Sequence, residues 1–130
     1  MNWERARNFC SNRNAEMVVI ESEVERQEIA KMTAHLLKKR WRFWVGVKRN
    51  GRSWMMNSGK IATYQPWGKD DSWKGDCVRI GGDTKWYKMA CFASTLPLGY
   101  TLNPFCKKSL EASAKFKPVL YNGPVQLRGT

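Results

Sequence analysis

The pattern of apolar residues at the start of the chain predicts a short helix. Spacings of three and four place these side chains on one face, as in a helix packed against a core. Asn2 precedes the run and is a favoured N-cap residue, because its side-chain oxygen can accept a backbone N–H of the first turn. The apolar positions are Trp3, Ala6, Phe9 and Cys10.

A second helix is predicted to begin at Ser22 and to end near Leu37. Its first residues, Ser-Glu-Val-Glu, match a capping box, in which serine and glutamate side chains bind backbone N–H groups reciprocally. The basic residues 38–40 follow, where positive charge favours the carboxyl end of a helix. Between the two helices, residues 17–20 are apolar and rich in β-branched side chains, so they predict a buried strand.

After the second helix the periodicity changes to short strands separated by loops. Residues 43–47 predict a core strand, Asn50 and Gly51 predict a hairpin turn, and residues 54–56 predict the returning strand. The following segment, residues 57–76, is rich in Gly, Asp, Ser and Lys and predicts a long loop.

Two more strands are predicted around a glycine-rich turn, at residues 77–80 and 85–89. Residues 92–104 then predict another loop, and Phe105 and Cys106 are expected to end the last strand. Helices followed by a run of strands predict an α+β fold rather than an alternating parallel sheet.

Composition limits the classes of protein to consider. The 130 residues suit one domain, and the 42% hydrophobic content with seven tryptophans predicts a folded core rather than a disordered chain. The formal net charge of +12 attracts polyanions, which include sulfated glycans, nucleic acid, anionic lipid and acidic proteins. Charge alone does not choose among them.

The cysteines favour disulfides over a metal site. Cys10, Cys77, Cys91 and Cys106 form no Cys-x-x-Cys motif, and the single histidine is His35. An even number of widely spaced cysteines favours two disulfides in an oxidising compartment, with unpaired buried thiols as the alternative. No apolar run approaches the ~20 residues that cross a bilayer, and the first residues do not resemble a signal peptide. Disulfides favour an oxidising compartment, whereas the missing export signal does not. An excised domain, an incomplete isoform or thiols that stay reduced in the cytosol would each account for this difference.

The ordered set of segments resembles the C-type lectin-like domain family. The helix ending in cysteine, the Phe-Trp-Val-Gly-Val strand and the following hairpin are similar to the family's first helix, Trp-Ile-Gly-Leu strand and hairpin. Later matches are Trp67, Asp76, Cys77, Trp86, Cys91, Phe105 and Cys106. The resemblance covers residues 1–108 and leaves 109–130 as a non-family tail. It implies two helices packed on short antiparallel strands with long loops, and disulfides Cys10–Cys106 and Cys77–Cys91.

The resemblance breaks at the family's calcium site. Sugar-binding members hold calcium with a Glu-Pro-Asn or Gln-Pro-Asp triplet in the long loop and with a Trp-Asn-Asp strand. Here the loop has no such triplet, and the strand has Trp86, Tyr87 and Lys88. The ammonium of Lys88 would repel a divalent cation where the family has an aspartate. We therefore expect no calcium, no other cofactor and no metal ligands.

Two surfaces are candidate ligand sites. The first is a basic patch, formed if the hairpin brings residues 48–52 back beside residues 40–42, where arginine binds sulfate or carboxylate and tryptophan stacks on a ring. Its residues are Lys38, Lys39, Arg40, Trp41, Arg42, Lys48, Arg49 and Arg52. The second is the long loop, whose Tyr64, Trp67 and Trp73 suit protein recognition. The alternatives are a solvated helix end and a loop packed on itself.

These observations predict an extracellular, calcium-independent recognition domain that binds a protein or an acidic (sulfated) glycan. The alternatives are a calcium-dependent carbohydrate-binding lectin with atypical ligands, and a binder of nucleic acid or other polyanions. Neither helix-turn-helix nor zinc-finger signatures support nucleic acid. An enzyme is not expected, because His35 falls on the polar face of its helix and neither Gly-x-Ser-x-Gly nor a P-loop occurs.

The two ends of the chain differ from the family pattern. Family domains have a strand before the first helix, and it pairs with the last strand. Because this chain begins in the helix, we expect the last strand to have an open edge. Residues 119–121 are one candidate for a substitute strand, but a mobile tail from residue 109 onward is the favoured interpretation.

The disulfide assignment is testable by mass spectrometry. Peptide mapping of the non-reduced protein should give one crosslinked peptide pair containing Cys10 and Cys106 and another containing Cys77 and Cys91. The same digest after reduction is the control. Free thiols, or Cys10 joined to a different partner, would contradict the assignment and the fold that it implies.

Overall fold

The structure, a computed structural model, describes residues 1–110 and 115–119, with side chains described up to residue 108. Helix α1 spans Trp3–Ser11 and helix α2 spans Glu23–Leu37. Both helices are capped as the sequence predicts. The Asn2 side chain accepts the Arg5 N–H at 2.9 Å, and the Ser22 hydroxyl accepts the Glu25 N–H at 3.1 Å.

The strands form two sheets around these helices. Strands β5-β4-β2-β7-β6 form the larger sheet, with β3 paired to β2, and β1-β8-β9 form the smaller one. The bounds are β1 Ala15–Met17, β2 Trp41–Asn50, β3 Ser53–Met56, β4 Cys77–Ile80, β5 Trp86–Met89, β6 Thr95–Leu96, β7 Tyr100–Asn103, β8 Cys106–Leu110 and β9 Lys115–Val119. The predicted α+β class is confirmed, although β7 pairs parallel to β2 within a sheet expected to be antiparallel.

The buried strand predicted at residues 17–20 lies earlier in the chain. Strand β1 ends at Met17, and Val18 then links the two sheets. Its N–H donates to the Phe105 carbonyl at 2.7 Å, while its own carbonyl accepts the Gly46 N–H at 2.7 Å. Val18 and Ile20 are buried, as predicted. The two backbone hydrogen bonds of Val18 go to different segments, so this stretch does not pair with a single neighbouring strand.

The prediction of a loop over residues 92–104 is wrong. This segment contains β6 and β7, and β7 pairs with the start of β2 so that Trp41 lies opposite Thr101. Strands this short give no alternation signal, and the Pro97–Gly99 turn between them resembles loop sequence. The last strand accordingly begins at Cys106, where the sequence suggested that it would end.

The tail expected from residue 109 is also corrected in part. Strand β8 continues to Leu110, and β9 pairs antiparallel with it, so that Val119 lies opposite Cys106. The edge of β8 is therefore covered by a returning strand, over residues 115–119 rather than 119–121. Residues 120 and 121 lie outside the described residues. The domain boundary at residue 108 stays a prediction.

Strand β2 separates two clusters of buried side chains. On one face its alternate residues Phe43, Val45 and Val47 pack against α2 and the sheet. Other members of this cluster are Val18, Ile20, Ile29, Leu36, Val78, Ile80, Trp86 and Phe105. On the opposite face Trp44 packs among residues of α1, and the indole N–H of Trp3 donates to the Val45 carbonyl at 2.8 Å.

Two disulfides fasten this arrangement, with the predicted partners. Cys10–Cys106 joins α1 to β8, and Cys77–Cys91 joins β4 to the segment after β5. The first closes a loop with a sequence separation of 96 residues and the second one of 14. Loop-closure entropy makes these crosslinks worth about 4–5 and about 3 kcal/mol of stability.

Gly46 permits a close backbone approach at the centre of β2, as its position between branched residues suggests. A Cβ at this position would lie 2.8 Å from the Met17 carbonyl oxygen and 2.8 Å from Asn57 Nδ2. The carbonyl belongs to the backbone that joins the two sheets, so it cannot move without disturbing both.

Substitution of Gly46 therefore tests the junction between the sheets. Gly46→Ala should lower the free energy of unfolding by about 1–3 kcal/mol, because the added methyl group overpacks a rigid contact. Urea denaturation measures the change. The exposed control Ser58→Ala should stay within about 0.5 kcal/mol of wild type. Equal stability of the two variants would contradict the close approach.

Candidate ligand-binding site

An open cleft of about 470 Å³ lies beside the larger sheet. Its floor comes from neighbouring strands, with Arg42 on β2, Arg79 on β4 and Tyr87 on β5. Arg79 lies opposite Tyr87 and also opposite Trp44, which is two residues from Arg42, so all three floor residues share one face of the sheet. Long-loop residues, the β4–β5 turn and the segment 96–100 form the walls.

Arg79 is the least expected side chain of the cleft, because it is only 5% exposed. Its guanidinium carbon lies 4.6 Å from the ring centroid of Trp73 and 5.1 Å from that of Tyr87. Nε is buried without a hydrogen-bond partner among the described residues. Burial, together with the positive charge of Arg42, lowers the pKa of Arg79 to about 10, so the side chain is still a cation at neutral pH.

Arg42 supplies a second guanidinium to the same cleft. Its Nη1 donates to the carbonyl of Leu37 at 3.1 Å and to that of Trp41 at 2.7 Å. The guanidinium carbon lies 4.6 Å from the ring centroid of Tyr100 on the facing wall. Backbone acceptors and an aromatic ring therefore fix the orientation of this cation.

Carboxylates are present at the cleft, but their hydrogen bonds go to their own loops. Asp83 accepts the Tyr87 hydroxyl at 2.6 Å and the Lys85 N–H at 2.9 Å. Asp70 accepts the hydroxyl and N–H of Ser72, and these hydrogen bonds, the hydroxyl first, lower the pKa of Asp70. In the described part of the chain, no ion pair joins either aspartate to Arg42 or Arg79.

Helix α2 holds two walls of the cleft in place. Arg26 donates to the carbonyl of Asp83 at 3.0 Å and to the Thr84 hydroxyl at 2.8 Å, which fixes the β4–β5 turn. Glu23 accepts from Arg26 and also accepts the Tyr64 hydroxyl at 2.6 Å, which fixes the start of the long loop. These hydrogen bonds, that of Arg26 first, lower the pKa of Glu23 to about 2.

A smaller pocket of about 160 Å³ lies between the long loop and β5. The ammonium of Lys88 lies 5.8 Å from the ring centroid of Trp67 and shares this pocket with Asp70 and Asp71. The Tyr87 ring covers Gly68 so closely that a Cβ there would lie 2.2 Å from the ring. Tyr87, Asp70 and Trp73 line both the small pocket and the larger cleft, so the two cavities are neighbours.

The hairpin does not return residues 48–52 to the start of the strand, which was the condition for a single basic patch. Strand β2 is continuous, and the hairpin pairs only residues 47–50 with 53–56. At ~3.3 Å per residue, Arg42 and Arg49 are about 23 Å apart. The basic set is thus divided between opposite ends of β2. Ligand binding by either half stays a prediction.

The two halves of the basic set have different surroundings. At the cleft end, Arg40 Nη1 donates to the Leu98 carbonyl at 3.1 Å. At the hairpin end, Arg49 forms an ion pair with Asp76, and the Lys48 ammonium lies 5.4 Å from the Trp3 ring centroid. Lys38, Lys39 and Arg52 are exposed, and Trp41 is half-buried.

The long-loop aromatic residues also have separate roles. Tyr64 is tied to α2, and Trp67 packs edge-on against Trp86 with ring centroids 5.5 Å apart. Both contacts therefore hold the loop against helix α2 and strand β5 rather than against itself, and ligand binding by these residues stays a prediction. Trp73 alone of the three lines the larger cleft.

Sequence reasoning missed Arg79, Tyr87 and Tyr100 as ligand-site candidates. One signal was available for Arg79, an arginine inside the otherwise apolar strand Cys-Val-Arg-Ile. A charged residue is rarely fully buried without a partner, so such a position is a candidate for function. Tyr100 gave no comparable signal, because the strand that carries it was predicted to be a loop.

Two helices, a mixed sheet closed by two disulfides, and long loops around an open cleft define a C-type lectin-like domain. The profile of the lectin C-type domain matches residues 1–98. The chain therefore belongs to the lectin C-type domain family. In the described residues, no helix is both long and apolar enough to cross a bilayer.

Known proteins of this family share both sequence and fold with the chain. Mouse L-selectin is 30% identical over 113 residues, which are 78% of this chain and 30% of that protein. Human C-type lectin domain family 10 member A is 28% identical over 102 residues, 70% of this chain and 31% of that protein. The chain thus spans less than a third of either relative.

Solved structures give the same fold. The mouse scavenger receptor C-type lectin carbohydrate-recognition domain superposes with a TM-score of 0.61 at 25% identity, over 71% of this chain and 75% of that one. The cow CD23 carbohydrate-recognition domain gives a TM-score of 0.62 at 20% identity, over 95% of this chain and 83% of that one. At this identity the second comparison concerns the fold alone.

The cleft geometry predicts an unusual titration for Tyr87. Burial and, second, the hydrogen bond to Asp83 raise the pKa of its hydroxyl to about 12. A spectrophotometric titration should therefore show one tyrosine ionising about two units above the ordinary value near 10, and Tyr87→Phe should remove that step. Since the folded pKa is the higher one, stability should fall as pH rises from about 10 to about 12. A Tyr87→Phe curve that differs from wild type only near pH 10 would contradict the hydrogen bond.

Proposed function

We propose that this chain is an extracellular recognition domain that binds an acidic glycan, in particular a sulfated one, without calcium. The observation that carries the proposal is the side-chain arrangement on β5. Where family members have the calcium-binding Asn and Asp, this chain has the Tyr87 ring packed on Gly68 and the ammonium of Lys88. The ammonium of Lys88 therefore lies in this pocket, 5.8 Å from the Trp67 ring centroid, at a position where the resemblance implies a metal ligand in sugar-binding members.

The residues of this pocket do not fit calcium. The ion takes six to eight oxygen ligands, whereas Lys88 contributes a positive charge and Tyr87 a ring whose hydroxyl is bound to Asp83. Asp70 accepts two hydrogen bonds from Ser72, and Asp70 and Asp71 are the only carboxylates among the residues that line the pocket. Within residues 1–110, no group of three or more His, Cys, Asp and Glu is close enough to hold a metal ion. The recognition that we propose therefore involves no calcium ion.

The charge and the relatives support a glycan as the ligand. The formal net charge of +12 raises the local concentration of any polyanion around the domain. The similar structures are described as carbohydrate-recognition domains, and the one from cow CD23 was solved with a GlcNAc2Man3 oligosaccharide. We extend carbohydrate recognition to this chain, with an acidic group of the sugar in place of calcium as the charged partner.

Recognition rather than catalysis is also part of the proposal. His35, the one histidine of the sequence, is exposed on α2 and is not among the residues that line the cleft. The two disulfides fit an extracellular location, where oxidising conditions maintain them.

A binding screen with immobilised heparin and a panel of neutral and sulfated glycans tests the proposal. Binding to sulfated glycans should be unchanged by a calcium chelator and should weaken steeply as salt is added, because screening acts on exposed charges. Lys88→Gln should weaken it by about fivefold, which corresponds to about 1 kcal/mol. The matched control Lys31→Gln removes the same charge from an exposed position on α2.

Two outcomes would contradict the proposed function. Chelator-sensitive binding to neutral sugars would mean that the domain is a calcium-dependent lectin with atypical ligands. Tighter binding to single-stranded or double-stranded DNA than to any glycan would mean that the domain is a general polyanion binder.

A further inference from the structure

The buried guanidinium of Arg79 forms no ion pair in the described part of the chain, and the carboxylates of Asp83 and Asp70 attract it only from a longer distance. The side chain is 5% exposed, its Nε has no hydrogen-bond partner, and no ion pair within residues 1–110 involves it. Burial of an unpaired guanidinium is strongly unfavourable for folding. An apolar residue at this position on β4 would avoid that cost. A buried cation that lines a cleft is therefore a candidate for ligand binding.

A second cation faces the same cavity. The Arg42 guanidinium is held by the Leu37 and Trp41 carbonyls, and a Cβ on Gly82 would lie 3.0 Å from its Nη2. The positive charge of Arg42 disfavours the charged form of Arg79, so the two groups act on each other as neighbouring like charges. Two cations that share a cavity are stabilised together when one anion lies between them.

Aromatic rings surround this pair of cations. Arg79 lies between the rings of Trp73 and Tyr87, and Arg42 lies against the ring of Tyr100. Each contact fixes the plane of a guanidinium, which favours bidentate binding of a carboxylate or sulfate. The same rings provide flat apolar surface for the C–H face of a sugar ring.

We propose that this cleft binds one carboxylate or sulfate group of a pyranose sugar, with Arg79 and Arg42 holding the anion and Trp73 and Tyr100 contacting the ring. The inference rests on the proposed function and adds to it a second anion site, next to the pocket that holds Lys88. A cavity of about 470 Å³ has the size of a small-molecule site and accommodates a compact ring. Leu98, which is 81% exposed, adds an apolar edge at which the rest of a glycan would leave the cleft.

The rim limits the ligand to one anionic group. Asp70 and Asp83 border the cleft, and their carboxylates are held by Ser72 and by Tyr87 and Lys85. A second sulfate on the same ring would approach these fixed negative charges. The cleft should therefore prefer a singly charged ring, whereas non-specific attraction by the +12 domain would increase with every added sulfate.

An NMR titration of the wild-type protein tests the site directly. N-acetylglucosamine 6-sulfate and glucuronic acid should shift the Arg79 Nε–H and the Trp73 indole N–H. Neutral N-acetylglucosamine and inorganic sulfate should bind at least tenfold more weakly, because the first lacks the anionic group and the second lacks the sugar ring. N-acetylglucosamine 3,6-disulfate should bind no more tightly than the monosulfate.

Variants separate the role of Arg79 from that of overall charge. Arg79→Met should lose about 10- to 100-fold in affinity for N-acetylglucosamine 6-sulfate, as expected for a charge-assisted hydrogen bond. It should melt at or above the wild-type temperature, because it removes an unpaired buried charge. Arg79→Lys should keep the charge but also bind more weakly, because an ammonium cannot donate two parallel N–H groups to one anion. Arg5→Met, at an exposed position of α1, is the matched control and should bind as wild type does.

The outcomes distinguish this inference from the proposed function. Unshifted Arg79 and Trp73 signals, or equal affinity of Arg79→Met and Arg5→Met for the sulfated sugar, would overturn the site. Salt-sensitive heparin binding in the same experiments would still support the proposed function. Shifts produced by an O-sulfotyrosine peptide but not by either acidic sugar would overturn the ligand class. Loss of all heparin binding in the wild-type protein would overturn the proposed function itself.

Discussion

The double-sided burial of strand β2 is the constraint on which the rest of this structure depends. Phe43, Val45 and Val47 pack towards α2, whereas Trp44 packs towards α1. The strand also pairs with β3, β4 and β7, so its backbone hydrogen bonds are shared among three neighbours. A strand held on both faces and both edges cannot shift its register, because a one-residue shift would exchange the two faces.

The fixed register of β2 determines where charge is exposed. Arg42 stands on the same face as Trp44, at the position where α1 no longer covers the sheet, and Arg79 follows on the next strand. Helix α2 then fixes the walls, through Arg26 on the β4–β5 turn and Glu23 on the long loop. Strands β2 and β4 and helix α2 therefore form both the core and the cleft, and the cleft is pre-organised for its ligand.

Arg79 shows how stability and recognition oppose each other in this domain. Its burial between aromatic rings orients the guanidinium but leaves Nε without a partner. The disulfides, which tie α1 to β8 and β4 to the segment after β5, add stability that tolerates such a position. Pre-organised cations that form no ion pair in the described part of the chain suit a ligand that brings its own negative charge.

The sequence by itself determined the features that rest on local patterns. Helix caps, the hairpin at Asn50 and Gly51, the core strand at residues 43–47 and, through the family resemblance, both disulfide pairs could all be predicted. Only the tertiary structure decided which distant residues meet. Strand β7 became part of the sheet through a parallel pairing with β2 that leaves no local pattern, and the basic residues predicted as one patch were separated by the length of β2. Arg79 was joined to Arg42 for the same physical reason, since cross-strand neighbours are set by register and not by spacing along the chain.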